Sequence, residues 1–281
     1  MQVRQFAKVA VFCAVFGAFI FGCNQMRAKV WVEQIDELTF DADGLNKIAV
    51  TTHNGPITFN GDADRDDVQV VVTRKGGGKN TESANAALAA IEIVSEATDD
   101  GTHNLGYRWS TQKHVDWQAN VAFEVSMPAH LMARARSHNG PIAAKQIEAA
   151  CDFATHNGRI SVDAPVASIS AETHNGAIDA ACSGQSVHLA SHNGPIKLIA
   201  HSPANLNGSA TTHNGSINVT VPKSTNTRLS CRTGNGSIHC DVPWAETKRS
   251  RRSATGVLGD GSGEFKVETH NGSIRVQEAE E

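Results

Sequence analysis

The sequence predicts an all-β protein: a β-solenoid of parallel stacked coils, 18–21 residues each, with two strands per coil and Asn-Gly corners. Three observations predict it. A six-residue signature, Thr/Ser-His-Asn-Gly-x-Ile, runs from Thr52 to Ile57, Ser137 to Ile142, Thr155 to Ile160, Thr173 to Ile178, Ser191 to Ile196, Thr212 to Ile217 and Thr269 to Ile274. An eighth copy, Thr233 to Ile238, carries Gly234 in place of His. From Gly140 the signature glycines step by 18, 18, 18, 21, 21 and 36 residues, the last step equal to two of 18, which is how a stack of equal units reads in sequence. Each copy is also flanked on both sides by period-2 alternation.

That alternation defines the elements. Ile169, Ala171 and Thr173 share one face before a corner, and Ile178, Ala180 and Cys182 share it afterwards. Val187, Leu189 and Ser191, then Ile217, Val219 and Val221, repeat the pattern. Thr and Ile therefore point inward and His outward. A row of hairpins with two-residue Asn-Gly turns has the same parity. Proline separates the two arrangements. In such a hairpin the residue after Asn-Gly donates its N–H across the turn, and Pro56, Pro141 and Pro195 have none to give. This favours arcs joining two stacked sheets. Coils stacked at ~4.8 Å place like residues over like. Asn54, Asn139, Asn157, Asn175, Asn193, Asn214, Asn235 and Asn271 would then form a hydrogen-bonded ladder. Gly55, Gly140, Gly158, Gly176, Gly194, Gly215, Gly236 and Gly272 would supply φ > 0 at the corners.

The chain opens with a short basic region (Arg4, Lys8) and an apolar run from Val9 to Phe21. As a helix that run is ~20 Å long, short of the ~30 Å bilayer core, so it reads as a secretory signal. It ends Ile20-Phe21-Gly22-Cys23, which resembles a bacterial lipobox, although Phe21 is bulkier than usual there. The resemblance implies lipidation of Cys23 and, in a Gram-negative host, delivery to the outer membrane. The expected layout is a signal peptide over 1–22, an anchor and linker over 23–40, one solenoid domain over 41–277 and a tail over 278–281. Within the domain, 58–136 is an irregular insertion that caps one end. It should hold a strand over Val68–Val72, a loop at Gly76–Lys79, a short helix capped by Thr81 or Ser83, and strands near Ile91–Ser95 and Val121–Ser126. Trp244 to Gly263 reads as a long loop carrying Lys248, Arg249, Arg251 and Arg252.

A formal net charge of −4 excludes a global basic field for nucleic acid. With aromatics at only 5%, the core should be narrow and built of small and β-branched side chains. Export implies an oxidising compartment. Cys231 and Cys240 lie symmetrically about Asn235-Gly236, both on inward positions, and a disulfide is expected between them. Cys151 and Cys182, inward on adjacent coils, are a possible second bridge.

An opening strand into a Gly-x-Ile corner (Ile48 to Phe59) is followed by a strand leading to a proline (Val121 to Pro128) and repeated Asn-Gly-x-Ile coils. The chain closes with Gly256 to Gly263 running into Asn271-Gly272-Ser273-Ile274. Together these resemble the bacterial putative-adhesin family of β-strand-repeat proteins, a domain of unknown function, over roughly residues 40 to 277. The resemblance implies an envelope-associated β-solenoid and supplies no catalytic residues. The regular His before Asn-Gly departs from the family pattern.

Seven histidines sit in the signature: His53, His138, His156, His174, His192, His213 and His270. Stacked in a solenoid, their imidazoles would line one outer edge. They would then pack as a structural ladder or, alternatively, use His156, His174, His192 and His213 to bind a transition metal. Adjacent imidazolium charges at that spacing repel by ~0.9 kcal/mol even at the dielectric constant of water, so acid should weaken a tight ladder. Asp62, Asp64, Asp66 and Asp67 resemble a Ca²⁺ loop only faintly, since the run lacks its Gly and its bidentate Glu. No paired carboxylates recur at one coil position, and there is no Gly-x-Ser-x-Gly, His-Glu-x-x-His or phosphate-loop motif. The sequence thus reads as a non-enzymatic, lipid-anchored structural or interaction module of the cell envelope. It needs no cofactor, and its partners are the membrane and an envelope protein or glycan rather than nucleic acid. A metal-binding protein and a glycan-cleaving β-helix are the alternatives.

Overall fold

The computed structural model describes residues 29–166, 168–183, 186–201 and 205–279. The signal segment and Cys23 lie outside them. The fold is nearly all β, with one helix, Thr81–Ala89, among the described residues. Each coil gives one strand to an 11-stranded sheet and one to a 12-stranded sheet. Coil-to-coil pairing is parallel and in strict register: Ile57, Ile142, Ile160, Ile178, Ile196, Ile217, Ile274 and Ile238 pair one on the next along the first sheet. All eight are buried, and they form the dry seam of the core together with Val162, Leu198, Val219 and the large rings of Phe59, Phe123, Phe153 and Phe265. The solenoid predicted from the signature is the fold observed.

The order of the coils departs from chain order in two places. Strands Thr102–Trp109 and Gln118–Pro128 pair in parallel with Lys47–Thr52 and Ile57–Asp62. They make an additional coil, without the signature, that lies ahead of the Asn54 coil. At the other end, the last coil of the chain (Glu264–Asn271 and Ile274–Glu278) lies between the Asn214 coil and the Asn235 coil. The reason lies in the segment expected as a loop. Ala245–Arg249 and Ser253–Leu258 form a hairpin that pairs antiparallel with Thr227–Asn235 and closes the outer edge of that sheet. With that edge covered, the final coil enters the slot behind it.

The opposite end is closed by antiparallel strands as well. Val30–Asp41, expected as linker, is a strand on Asp67–Gly78, which itself pairs with Gln118–Pro128. Gly76-Gly77-Gly78 is thus strand rather than loop. Its glycines let helix Thr81–Ala89 lie on the sheet, since a Cβ at Gly76 would collide with the backbone of Leu88 and one at Gly78 with that of Ala84. The helix cap is Asn80, whose side chain accepts from the Ser83 N–H at 2.8 Å, and not Thr81 or Ser83. Antiparallel pairs thus cover both sheets at this end and one sheet at the other, where Ile238–Asp241 is the edge strand of the 11-stranded sheet, and keep those covered edges from pairing with other chains.

His103 is buried in this cap, stacked on Phe40 with ring centroids 3.7 Å apart and bonded through Nε2 to Ser95 Oγ at 2.8 Å. Burial holds its imidazole below the ordinary value. A depressed imidazole leaves stability complete above its unfolded value of ~6.5 and erodes it as pH falls below that. The melting temperature is therefore expected to drop between pH 7.5 and pH 5, and the drop to shrink in His103→Phe. An equal drop in both proteins would remove His103 as a contributor.

Candidate functional site

The signature builds a corner from three side chains, and each connects to the next coil. The buried Thr155 hydroxyl donates to the Gly140 carbonyl of the preceding coil at 3.0 Å and accepts from the Gly158 N–H of its own corner at 3.2 Å. Thr173 and Ser191 repeat both bonds one and two coils on. This explains the Thr/Ser preference: a buried hydroxyl must be paired, and this one satisfies two backbone groups of neighbouring arcs. The role was not read from sequence, where only the inward parity of Thr was visible.

The Asn ladder is continuous in space from Asn54 through Asn139, Asn157, Asn175, Asn193, Asn214 and Asn271 to Asn235. In that order each side-chain amide N–H donates to the Oδ1 of the Asn one rung before it, at 2.7–2.9 Å. Glycine is needed there for a different reason than expected. Among the described corner glycines only Gly55 has positive φ, at 134°. At Gly140, Gly158, Gly176, Gly194, Gly215, Gly272 and Gly236 a Cβ would overlap the carbonyl oxygen of the corner glycine one coil before. Close approach of neighbouring arcs, rather than a left-handed backbone, excludes side chains.

The seven imidazoles stack face to face in one row, His53 to His138, His156, His174, His192, His213 and His270, with centroids 4.7–5.0 Å apart. The row ends beside Gly234, where the eighth copy has no ring. In His138 and His156 the Nδ1 atom lies 3.0 Å from the Asn Oδ1 of the same corner. The metal alternative named His156, His174, His192 and His213. The ring centroids of these four lie 4.7–5.0 Å apart. Among the described residues no group of three or more His, Cys, Asp or Glu is placed to hold a metal. The Asp62–Asp67 run is a turn, in which the Asp64 N–H donates to Asp62 Oδ1 at 3.0 Å and Arg65 pairs with Asp67 at 2.6 Å.

The four described cysteines are unbridged thiols in this structure, with Cys231 beside Cys240 and Cys151 near Cys182. Cys231 and Cys240 lie on facing strands of one coil and share a hydrogen bond. That bond, and then burial, raises the Cys231 thiol above its ordinary value. Burial first, and Cys182 nearby second, pushes the Cys151 thiol up to about 12.

One end of the imidazole row opens into a pocket of about 860 Å³. The coil ahead of Asn54 lacks the signature, and loop 110–117 stands where its corner would be. The Asn ladder ends there on the Ala119 carbonyl, which accepts from Asn54 Nδ2 at 3.1 Å. Trp31, Tyr107, Trp109, His53, Asn120 and Lys113 are among the lining residues. The sequence reading missed this site, because its rings come from three separate segments that only the cap brings together.

A family model, Toastrack DUF4097, matches residues 37–277. The chain belongs to that family. The expected resemblance to the putative-adhesin β-strand-repeat proteins falls within this family. A solved structure called a putative cell adhesion protein, from Clostridium sporogenes, shares 12% identity with this Toastrack chain. It covers 88% of this chain and 100% of its own, at a TM-score of 0.38. A putative adhesin from Bacteroides fragilis shares 12% over 86% and 96%, at 0.39. A putative lipid binding protein from Parabacteroides distasonis shares 10% over 86% and 96%, at 0.29. No curated protein matches the chain. No helix among the described residues is long and apolar enough to cross a membrane.

Proposed function

We propose that this Toastrack protein is a non-enzymatic interaction module of the cell envelope, held by a lipid on Cys23 and, in a Gram-negative host, placed at the outer membrane. The observation that carries this reading is the junction of a lipobox-like Ile20-Phe21-Gly22-Cys23 with a body whose chemistry is repeated rather than focused. The outward positions after the signature Ile (Thr58, Ala143, Ser161, Asp179, Lys197, Asn218, Arg275 and His239) form no carboxylate pair. A glycosidase needs two such groups in register, and this surface repeats none. The long edge of imidazoles and amides instead offers one polar contact per coil to a partner.

Mass spectrometry of the chain extracted from membranes tests the anchor. A diacyl or triacyl adduct on an N-terminal Cys23 is expected, and Cys23→Ala should release the protein to the soluble fraction. An unmodified chain beginning upstream or downstream of Cys23 would sink it. In that oxidising compartment Cys231 and Cys240 are expected to pass two protons and two electrons to a disulfide-bearing exchange partner and become bridged. The same spectra, taken after alkylation without reductant, should lack label on both. Labelled Cys231 would mean that the pair stays reduced.

A further inference from the structure

The pocket at the capped end is a built feature, and its chemistry differs from that of the ladder. In the signature coils the corner is filled by Asn-Gly packed against the next Asn-Gly. Here loop 110–117 swings wide and leaves His53 and Asn54 beside open space bounded by aromatic rings, while Gly55 packs on the Val121 backbone. The walls are fixed before any ligand arrives. Trp109 stacks on Trp117 with centroids 5.8 Å apart. The loop is tied to the helix by Ser83 Oγ donating to Asp116 at 2.8 Å, and to the chain after the helix by the Ser110 N–H donating to the Ala90 carbonyl at 2.8 Å.

Trp31 supplies the floor. It pairs in register with Gly77, which pairs in turn with Gln118. With no side chain at Gly77, the indole lies against that strand, its ring atoms 3.0–3.1 Å from where a Cβ would stand. Trp31 remains 41% exposed, so an indole face is offered to the pocket. Around it stand neutral hydrogen-bonding groups, Gln118, Asn120 and Thr51, and the ammonium of Lys113, 6.0 Å from the Trp109 ring centroid. None of the described lining residues carries a carboxylate.

The geometry points to a saccharide-binding site: a pocket in which one to three pyranose rings lie on Trp31 and Trp109 while their hydroxyls bond to Asn120, Gln118 and Lys113. This deepens the interaction-module reading and rests on it. A pyranose has an apolar C–H face and a rim of hydroxyls, which matches aromatic planes ringed by amides. The volume lies within the usual range for small ligands, ~300–1,000 Å³. The missing carboxylates leave a group that binds sugar without means to cleave it. A bilayer is the rival occupant, because a chain of eight peptide steps from Cys23 to Trp31 reaches at most ~29 Å. Membrane docking uses protruding rings, however, and Tyr107 and Trp109 are half-buried in a concavity.

Calorimetric titration of the full mature chain in neutral detergent tests the site, with chitohexaose, cellohexaose and hexagalacturonate as probes. Vesicles of phosphatidylethanolamine and phosphatidylglycerol are tested in parallel by flotation. At least one hexasaccharide should bind saturably with Kd below ~1 mM. Trp31→Ala should weaken that binding about tenfold or more, and Asn120→Ala should weaken it without touching the Trp platform. Val115→Ala, 95% exposed on the same loop and outside the pocket lining, should leave it unchanged. Thermal melts of each variant exclude unfolding as the cause. No saturable binding to any of the three sugars overturns the proposal, as does binding indifferent to Trp31→Ala. Flotation that is lost with Trp31→Ala, with no sugar response, would assign the rings to the membrane instead. An unacylated Cys23 would sink the anchor alone and leave the titration to stand by itself.

Discussion

Gly176→Ala is expected to destabilise the protein by about 3 kcal/mol, the upper range for forcing extra volume into a packed site. The new methyl would fall on the Gly158 carbonyl oxygen and press on Thr173 Oγ1. Neither can yield cheaply. The carbonyl is already the acceptor of the Thr173 hydroxyl at 3.0 Å, and that hydroxyl accepts from the Gly176 N–H at 3.1 Å. Moving one arc therefore strains the arcs on both sides. Gly44→Ala is the informative contrast, because Gly44 has φ of 75° and nothing within 4 Å of its missing Cβ. Only backbone strain acts there, ~1–2 kcal/mol. Denaturant midpoints for the two variants should separate widely. Equal midpoints would mean that the corner glycines serve dihedral freedom after all.

A stop codon after Ser262 is expected to release the whole C-terminal cap rather than to shorten the stack by one coil. Truncation removes Phe265, Val267, Ile274 and Val276, all buried. At ~2 kcal/mol for each fully buried apolar side chain, the gross loss is on the order of 8 kcal/mol. The larger effect is topological. The strand pairings of the Asn235 coil run through the missing coil, on Glu264–Asn271 in one sheet and Ile274–Glu278 in the other, while the Thr227 hydroxyl bond to the Leu206 carbonyl and the Asn205–Asn226 bridge join it to the Asn214 coil at one point. Without it the Asn214 and Asn235 amides would stand two rungs apart, ~9.6 Å, beyond hydrogen-bond reach. Limited trypsin digestion should cut rapidly at Arg228, Arg232 and Lys248 while the coils from Asn54 to Asn193 persist. Uniform resistance would show that the cap docks on the Asn214 coil unaided.

Much of the fold was legible in the sequence, because a stacked repeat writes its period directly into the chain. Parity put Ile178 and Thr173 inward, and Pro56, Pro141 and Pro195 argued against hairpins. The Asn and His rows follow from register alone. Coil order was not legible. Asn271 follows Asn235 by 36 residues, yet it sits between Asn235 and Asn214. Spacing records that a coil exists, and a covered edge decides where it goes. Caps were read poorly for a related reason. Gly76-Gly77-Gly78 carries a loop's composition, and only the helix and Trp31 lying on that strand explain it. The pocket was invisible because Trp31, His53 and Trp109 converge through pairings specified by no local pattern.

The near identity of the rungs has one further consequence. Every interior arc offers the same carbonyl, hydroxyl and amide to whatever arrives above or below, so slots are chemically interchangeable, and edge cover together with linker reach assigns them. A body built this way has an adjustable gauge. Duplicating the 18 residues from Thr155 to Glu172 would lengthen it by one ~4.8 Å step without rewriting any neighbour. Evolution can then change the distance between the pocket end and the far hairpin without altering what either end does.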